Sequence, residues 1–335
     1  MKGLRVRAPG GLDALQWVEM PDPGAPGLGE VRVRVHASSL NFHDLGVVLG
    51  HLPTEDGRIP LADGGGVVEA VGERVTELAR GDAVVSCFFP TWDDGGPTFA
   101  GFSNTPGDGV DGFACEVVTA PASYFTRAPK GYSHLEAATI TTAGLTAWRA
   151  LVVNGGLKPG DVVLALGTGG VSVFALQIAK AMGATVIITS SSDEKLERAR
   201  ALGADHTINY RAVEQWAPAV RELTGGVGAD HVIEVGGPGT LPQSIAACRI
   251  GGHISLIGVL TGRGGEIPTS LLMQRQQRLH GLIVGSRRHQ KDFCRALEAM
   301  PFRPIIDRVF PLAETAQAFR YEMSGGHFGK IGIEV

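Results

Sequence analysis

The sequence predicts an α/β fold built around a doubly wound parallel sheet. Residues 162–166 form a short apolar run that leads directly into a glycine-rich turn. Apolar residues then recur at helical spacing, and a second apolar run at 185–189 closes a strand–helix–strand unit. Strand and helix patterns continue to alternate from residue 124 to residue 295. Such alternation is typical of a parallel sheet with helices on both faces.

Residues 1–123 instead predict a first domain of short strands. At 31–35, valines alternate with arginines, which is the pattern of a half-buried strand. The segment 92–112 is rich in Gly, Asp and Pro, so we expect an exposed loop there. The other strand candidates of this part are 66–71, 83–88 and 113–119.

The second part predicts six strands separated by helices that end at glycine signals. Ser191 and Glu194 have the spacing of a capping box for the helix that runs to Leu202. The tail returns to strand-like sequence with one helix around 313–322, and we expect it to fold back on the first domain. The strand candidates are 162–166, 185–189, 206–208, 231–235, 253–257 and 282–284.

Composition excludes several classes of protein. A chain of 335 residues has room for two domains, each with its own core. The net charge of −4 does not favour a nucleic acid partner, and no apolar run reaches membrane-span length. Met1-Lys2-Gly3 leads into strand-like sequence rather than a signal peptide, and the four cysteines are scattered. We therefore expect a cytoplasmic enzyme with free thiols.

The turn after the strand at 162–166 is a candidate dinucleotide site. Its glycines let the backbone approach a pyrophosphate, and the following helix offers free N–H groups at its N-terminus. Ser172 stands where the usual fingerprint has a third glycine, and serine is the smallest change that close helix–strand packing could tolerate there. The alternative is a doubly wound sheet without a nucleotide. The candidate residues are Gly167, Thr168, Gly169, Gly170 and Val171.

Several motifs resemble the medium-chain dehydrogenase/reductase superfamily, in particular its zinc-independent, quinone oxidoreductase-like branch. The similarity spans essentially the whole chain and says nothing about the substrate. It implies a GroES-like β-barrel domain beside a Rossmann domain, with the cofactor in the cleft between them and hydride transfer to or from a carbonyl, alkene or quinone. The motifs are LNFHDL at 40–45, DGGGVVEAVG at 63–72, GD at 81–82, AGLTAW at 143–148, the glycine turn and LGADHTINY at 202–210.

The resemblance also implies a division of the chain. Residues 1–123 would form the first part of the GroES-like catalytic domain, residues 124–295 the Rossmann cofactor-binding domain, and residues 296–335 a return segment that completes the catalytic domain.

The resemblance does not extend to a metal site. Zinc relatives use a cysteine near the position of Asn41 and a histidine in the segment where this chain has Ala62, and neither residue can replace those ligands. The loop at 92–112 has none of the four cysteines of the relatives' structural zinc lobe. We expect no functional metal, although an ad hoc site is the alternative. Its members would be His43, Asp44, His51 and Asp63.

The end of the second strand favours NADPH. NAD-binding relatives place an acidic side chain there, whereas this chain has Ser190 and Ser191, and its first acids come several residues later. Lys195 and Tyr210 match a lysine–tyrosine pair that contacts the 2′-phosphate in quinone reductases. The alternative is that Lys195 is a solvated helix residue and that Tyr210 only packs.

The candidate catalytic residues follow the first domain's NFHD motif. Asn41 matches the family's cofactor-facing asparagine, and Asp44 lies one helical turn further, although it could equally be a cap or a structural ion pair. His43 and His51 titrate near neutrality and are candidate proton donors, although either could be a surface histidine. The resemblance also implies cofactor contacts, and Lys330, the last of them along the chain, could instead be a solvated strand lysine. The contacts are Thr142, Thr146, Gly258, Val259, Leu260, Gly285, Ser286, Arg287 and Lys330.

Two functions remain open from the sequence. The first is an NADPH-dependent reductase of a small-molecule quinone, enone or ketone, or the reverse alcohol oxidation. The second is a non-catalytic NADPH-binding protein with a structural, sensing or RNA-binding role. The apolar run at 279–285 is the last strand of the sheet, and dimeric relatives pair through this element. We therefore expect a homodimer and neither a nucleic acid nor a membrane partner.

Overall fold

The computed structural model describes residues 1–102 and 104–335, which fall into two compact units. Unit 1 comprises Met1–Leu145, Val284–Ala299 and Arg303–Val335. Unit 2 comprises Thr146–Ile283 and Met300–Phe302. Ser103, which belongs to the expected loop, lies outside the described residues. Within the described part of the chain, no helix has the length and apolarity that a membrane span requires.

The elements are numbered in chain order. The strands are β1 (Lys2–Val6), β2 (Leu15–Glu19), β3 (Glu30–Ser39), β4 (Gly65–Val71), β5 (Ala83–Ser86), β6 (Val117–Pro121), β7 (Phe125–Arg127), β8 (Val162–Ala165), β9 (Thr185–Ser190), β10 (His206–Asn209), β11 (Ala229–Glu234), β12 (Cys248–Leu256), β13 (Arg278–Gly281), β14 (Ile306–Pro311) and β15 (Lys330–Glu334). The α-helices are α1 (Phe42–Val48), α2 (His134–Ala138), α3 (Leu145–Trp148), α4 (Gly170–Ala181), α5 (Asp193–Ala201), α6 (Trp216–Leu223), α7 (Leu241–Ala247), α8 (Thr269–Gln274), α9 (Arg287–Ala299) and α10 (Thr315–Met323). Two π-helical turns, Ile140–Gly144 and Arg149–Asn154, flank α3.

Unit 1 is built on a mostly antiparallel sheet. Its strand order is β14-β15-β3-β4-β5-β7, with β6 also paired to β3 and with β1 and β2 forming a separate hairpin. The long strand β3 is half-buried as its pattern predicts, because Val31, Val33 and Val35 are buried while Arg32 and Arg34 both bind Glu69. The tail folds back on this sheet, since β15 pairs with β3.

Unit 2 contains six parallel strands in the order β10-β9-β8-β11-β12-β13. The chain starts in the centre at β8, moves outward to β10, and then returns to build the other half from β11. This order confirms the predicted doubly wound sheet. It also creates a switch point between β8 and β11, where the loops at the carboxyl ends of the strands diverge and ligands bind in such folds.

The unit boundaries differ from those expected at 123/124 and 295/296. Strand β7 belongs to unit 1 because it pairs antiparallel with β5. Helix α9 belongs there as well, because its Gln290 donates hydrogen bonds to the Ser86 carbonyl and the Thr126 hydroxyl of that sheet. Hydrogen bonds between residues so distant in sequence leave no local signal, so the alternation of strands and helices predicts different boundaries.

The last strand also differs from the expectation at 282–284. The structure forms β13 four residues earlier, at the edge of the sheet, and Val284 has a positive φ of 43° that ends the extended run. Leu282 and Val284 are buried within the chain itself, whereas Ile283 is 59% exposed. The apolar side chain at this edge that is open to another chain is therefore Ile283.

Candidate active site

The glycine turn lies at the carboxyl end of β8, next to the switch point. Gly167 has a φ of +73°, a conformation that favours glycine, and its N–H donates to the Thr189 hydroxyl at 3.1 Å. Gly169 is extended (φ −80°, ψ −176°) and begins α4. The hydroxyl of Ser172 donates to the Leu166 carbonyl at 2.6 Å, so serine fits at the packed position and also ties the helix to the strand. The N–H groups of the first turn of α4 remain available for an anion.

A second group of polar residues lies at the carboxyl end of the neighbouring strand β9. The N–H of Tyr210 donates to the Ser190 carbonyl at 3.0 Å, which fixes Tyr210 beside that strand end. The Ser192 hydroxyl accepts from the Lys195 N–H at 3.3 Å and caps α5. The expected cap at Ser191 is therefore wrong by one residue, and Ser191 is left in the turn itself. The backbone thus brings Ser190, Lys195 and Tyr210 to one end of the sheet.

The sequence analysis missed the loop after β11, on the other side of the switch point. Glu234 is fully buried there, and its Oε1 accepts from the N–H groups of Gly236 and Gly237 at 2.7 and 3.0 Å. The hydroxyls of Thr240 and Ser244 donate to the same carboxylate. One buried acid therefore holds the whole loop in shape. A signal was present, because an acid directly before a Val-Gly-Gly-Pro-Gly run ends a buried strand.

The loop after β12 is tied to the loop after β11. The hydroxyl of Thr261 donates to the Gly236 carbonyl and accepts from the Gly239 N–H, each at 2.8 Å. Val259 and Leu260 are exposed on this loop, as two apolar side chains that face away from the core. The expected cofactor contacts at Gly258, Val259 and Leu260 are thus located at the carboxyl edge of the sheet, and they stay predictions.

In unit 1, Asn41 and Asp44 form the cap of α1. Asp44 Oδ2 accepts from the Asn41 backbone N–H at 2.9 Å and from its side-chain Nδ2 at 3.1 Å. Asp44 Oδ1 accepts from the Ala62 N–H at 2.9 Å, and the carboxylate is buried. Of the two interpretations of Asp44, the structure therefore gives the cap. The carboxylate thus links Asn41 to the segment at Ala62, and its catalytic role stays a prediction.

A buried lysine from the tail completes this cluster. Lys330 is 3% exposed, and its ammonium donates to the Asn41 Oδ1 at 2.5 Å and to the Leu40 carbonyl. The same ammonium lies 3.5 Å from Asp63 Oδ2. Asp63 also accepts from the hydroxyls of Ser39 and Thr142 at 2.5 and 2.6 Å. The alternative of a solvated strand lysine is therefore wrong.

Charge and burial compete at Asp63 and at a further acid nearby. Burial raises the pKa of Asp63, while the Lys330 ammonium works against this shift. Burial also raises the pKa of Glu322 on α10 to about 7. The charge of Lys330 lowers this pKa, and the charge of Asp44 raises it. The Oε2 of Glu322 is buried without a hydrogen-bond partner among residues 1–102 and 104–335. Neither acid was proposed as a reacting group from the sequence.

His43 lies between two carboxylates. Its Nε2 is 2.9 Å from Asp108 Oδ2, and its buried Nδ1 is 3.7 Å from Asp44 Oδ1. Burial lowers the pKa of His43, but the hydrogen bonds and charges of Asp108 and Asp44 outweigh it and raise the value to about 9. The ring is therefore an imidazolium at neutral pH, and its Asp108 side is the partly exposed one.

Some expected site residues have other roles or remain apart. Arg287 is buried in unit 1 and forms ion pairs with Glu77 at 2.6 Å and Asp93 at 3.3 Å, which leaves its guanidinium committed to structure. Its predicted cofactor contact stays a prediction. His51 is exposed in the turn after α1, which weakens its case as a proton donor. Gly285 and Ser286 are buried at the start of α9, and Thr146 is buried in unit 2.

The residues of unit 1 do not fit the zinc site of the zinc-dependent relatives. Asn41 engages Lys330 and Asp44, and Ala62 offers no ligand atom. Over the described ranges 1–102 and 104–335, no group of three or more His, Cys, Asp and Glu side chains is arranged to hold a metal ion. The four cysteines are buried thiols, and burial raises the pKa of each to about 12.

Comparisons with known proteins identify the same two kinds of domain. The family model "Alcohol dehydrogenase GroES-like domain" matches residues 27–130, and "Zinc-binding dehydrogenase" matches residues 170–300. A zinc-type alcohol dehydrogenase-like protein of Schizosaccharomyces pombe is 43% identical over 333 residues, which are 97% of this chain and 96% of that protein. A 2-haloacrylate reductase of Burkholderia sp. is 31% identical over 337 residues, covering 94% and 93% of the two chains.

Solved structures are similar over the whole chain. A candidate alcohol dehydrogenase of Sinorhizobium meliloti 1021 is 42% identical with a TM-score of 0.93, covering 100% of this chain and 98% of that one. An NAD-dependent alcohol dehydrogenase is 37% identical with a TM-score of 0.91, covering 100% of both chains. A mycobacterial protein in complex with NADPH is 28% identical with a TM-score of 0.83, again covering 100% of both. These matches confirm the predicted pairing of a GroES-like and a Rossmann domain.

Proposed function

Because the chain belongs to the medium-chain dehydrogenase/reductase superfamily and is an NAD(P)-dependent oxidoreductase, we propose that it is a zinc-independent, NADPH-dependent reductase. Its acceptors would be quinones, enones or ketones. The name of one relative, 2-haloacrylate reductase, supports this choice, because an acrylate has a C=C bond conjugated to a carbonyl group. The names of the other relatives favour the reverse direction, alcohol oxidation, at the same site.

The observation that carries the cofactor proposal is the strand end of β9. It presents Ser190 and a serine turn where NAD-specific folds place an acid, with Lys195 in the first turn of α5 and Tyr210 fixed beside it. A phosphate on the ribose 2′-oxygen would find hydroxyl donors and a cation here. The glycine turn and the N-terminus of α4 would hold the pyrophosphate. When bound, the nicotinamide supplies the hydride.

Lys195→Ala tests this cofactor assignment. Loss of one charge-assisted contact, worth roughly 1.5–3 kcal/mol, should lower kcat/KM for NADPH about ten- to a hundredfold and leave NADH unchanged. Lys180→Ala is the matched control, because it removes the same charge at the opposite end of the neighbouring helix α4, where Lys180 pairs with Asp205. An equal loss with both cofactors in Lys195→Ala would mean that this lysine does not read the phosphate.

The protonation step of the proposal involves the cluster in unit 1. Reduction of a C=O or C=C bond needs a proton as well as a hydride. His43 carries a proton at neutral pH and would give it to the reduced substrate, after which a proton from solvent would replace it through the partly exposed Asp108. Asn41 offers an amide for the substrate oxygen.

A homodimer through the edge strand β13 is also part of the proposal. Edge strands leave unpaired N–H and C=O groups that invite pairing with another chain. β13 is the last strand of the parallel sheet, and the exposed Ile283 follows it directly. Antiparallel pairing of two copies about a two-fold axis would extend the sheet through both subunits.

A further inference from the structure

The two polar atoms of the Asn41 amide can be assigned from their partners alone. An ammonium has only donors, so the atom 2.5 Å from the Lys330 Nζ must be the carbonyl Oδ1. Each oxygen of the Asp44 carboxylate accepts a backbone N–H, so both act as acceptors. The amide atom 3.1 Å from Oδ2 must therefore be a donor, which is the Nδ2. The amide therefore has one orientation, fixed from both ends.

This orientation leaves one N–H of Asn41 with only a long hydrogen bond. Nδ2 carries two hydrogens, and the first is directed at Asp44. The second lies near the carbonyl of Ser39 at 3.4 Å, at the outer limit of a hydrogen bond. A ligand oxygen could therefore replace the Ser39 carbonyl at little cost. Asn41 is 7% exposed, so the amide is largely desolvated.

We infer that Asn41 is the hydrogen-bond donor to the substrate oxygen and that Lys330 is the positioning residue that orients and polarises it. A cation on the amide oxygen draws electron density away from the nitrogen and strengthens its N–H as a donor. Asp63 neutralises this buried charge, and the hydroxyls of Ser39 and Thr142 fix Asp63. The inference rests on the proposed function and deepens it by giving Lys330 a role in the reaction.

The electron balance of the step shows where this donor acts. The acceptor carbon gains the hydride that the dihydronicotinamide loses, and the π pair of the acceptor moves onto its oxygen. That oxygen becomes negative until a proton is added, which the proposed function takes from His43. A polarised N–H at this oxygen stabilises the developing charge more than the neutral ground state. The recognised substrate group is therefore a carbonyl oxygen, either of a ketone or quinone or at the end of an enone.

A double-mutant cycle between Asn41 and Lys330 tests the inference. Asn41→Ala should lower kcat for a para-substituted series of benzylideneacetones by roughly a hundred- to a thousandfold, the effect of losing one oxyanion donor. Lys330→Met should lower kcat less, and it should have almost no further effect in the Asn41→Ala background. Because loss of the cation alone leaves the buried Asp63 without its counter-charge, Lys330→Met/Asp63→Asn removes the charges as a pair and should show the same loss. Urea unfolding of each variant checks that the fold is kept.

Three readouts separate this inference from a merely structural role. The Hammett slope of kcat should steepen in Lys330→Met, because the substrate then has to stabilise its own negative oxygen. The side-chain amide of Asn41 should give a downfield proton signal in NMR spectra of the protein without substrate, and Lys330→Met should move it to the ordinary range. Additive losses in the cycle, or an unshifted amide signal in the wild type, would overturn the inference. Absence of wild-type turnover with every acceptor would instead contradict the proposed function. The NMR comparison would still test whether Lys330 polarises the Asn41 amide.

Discussion

His253 should make unit 2 sensitive to acid. It lies on β12, and its ring is 6.4 Å from that of His231 on β11 and 5.9 Å from that of His280 on β13. The side chain is 2% exposed, and neither ring nitrogen has a hydrogen-bond partner within the described part of the chain. Burial, together with the charges of Arg278 and the two histidines, lowers the pKa of His253 from 6.5 to about 4. The folded protein therefore resists protonation that the unfolded chain accepts.

The sign and size of the effect follow from linkage. Between pH 6.5 and pH 4 the unfolded chain binds a proton at His253 that the folded chain does not, so the free energy of unfolding falls as the pH falls. With these two pKa values, the loss relative to pH 7 is about 2 kcal/mol at pH 5 and about 3 kcal/mol at pH 4. His253→Leu removes the titrating group and should abolish this part of the acid sensitivity.

Urea unfolding at pH 7, 6, 5 and 4 measures the free energy of unfolding of wild type and His253→Leu. The contributions of the other titrating groups cancel in the difference between the two proteins. Relative to wild type, His253→Leu should gain about 2 kcal/mol between pH 7 and pH 5. Ser255→Ala is the control, because Ser255 is a buried residue of the same strand whose hydroxyl also lacks a partner among the described residues but does not titrate. Parallel pH profiles for wild type and His253→Leu would refute the reasoning.

Three further predictions concern the cofactor, the proton and the assembly. Gly169→Val should abolish NADPH binding, because a branched side chain would block the close approach of the backbone to the pyrophosphate. The variant should still fold, because Gly169 has an extended backbone that any residue adopts. Gly167→Ala should instead cost roughly 1–2 kcal/mol of stability, because the φ of Gly167 is +73°. Calorimetric NADPH titration and urea unfolding check both, and unchanged affinity in Gly169→Val would contradict the dinucleotide site. The reduction rate should fall above about pH 9, because His43 loses its proton there. Asp108→Asn should move this fall to lower pH, because the hydrogen bond to Asp108 raises the pKa of His43. An identical pH–rate profile in His43→Gln would exclude His43 as the proton donor. Ile283→Glu should convert the dimer to a monomer in analytical ultracentrifugation. Val309→Glu, which makes the same kind of change at an exposed valine of β14, should leave the dimer intact. A wild-type monomer at micromolar concentration would disprove the β13 interface.

The sequence predicted the elements whose signals are local. The period of the apolar residues and the glycine turn were sufficient for β8, α4 and β9, because those residues are neighbours in the chain. It failed where partners are distant. Arg287 pairs with Glu77 from 210 positions away, and Lys330 reaches Asn41 across 289 positions, so neither contact leaves a pattern in either segment. The motif identified Asn41, but only the fold could show what orients it.

The most direct test of the central claim is the rate of NADPH oxidation by the chelator-treated protein with 2-cyclohexenone and 1,4-benzoquinone as acceptors. The proposed function predicts turnover of at least one acceptor without added metal, because Asn41 and Ala62 cannot bind zinc as the ligands of the relatives do. It also predicts a higher kcat/KM with NADPH than with NADH. Turnover that appears only when zinc is restored, or no turnover with any acceptor under either cofactor, would contradict the claim.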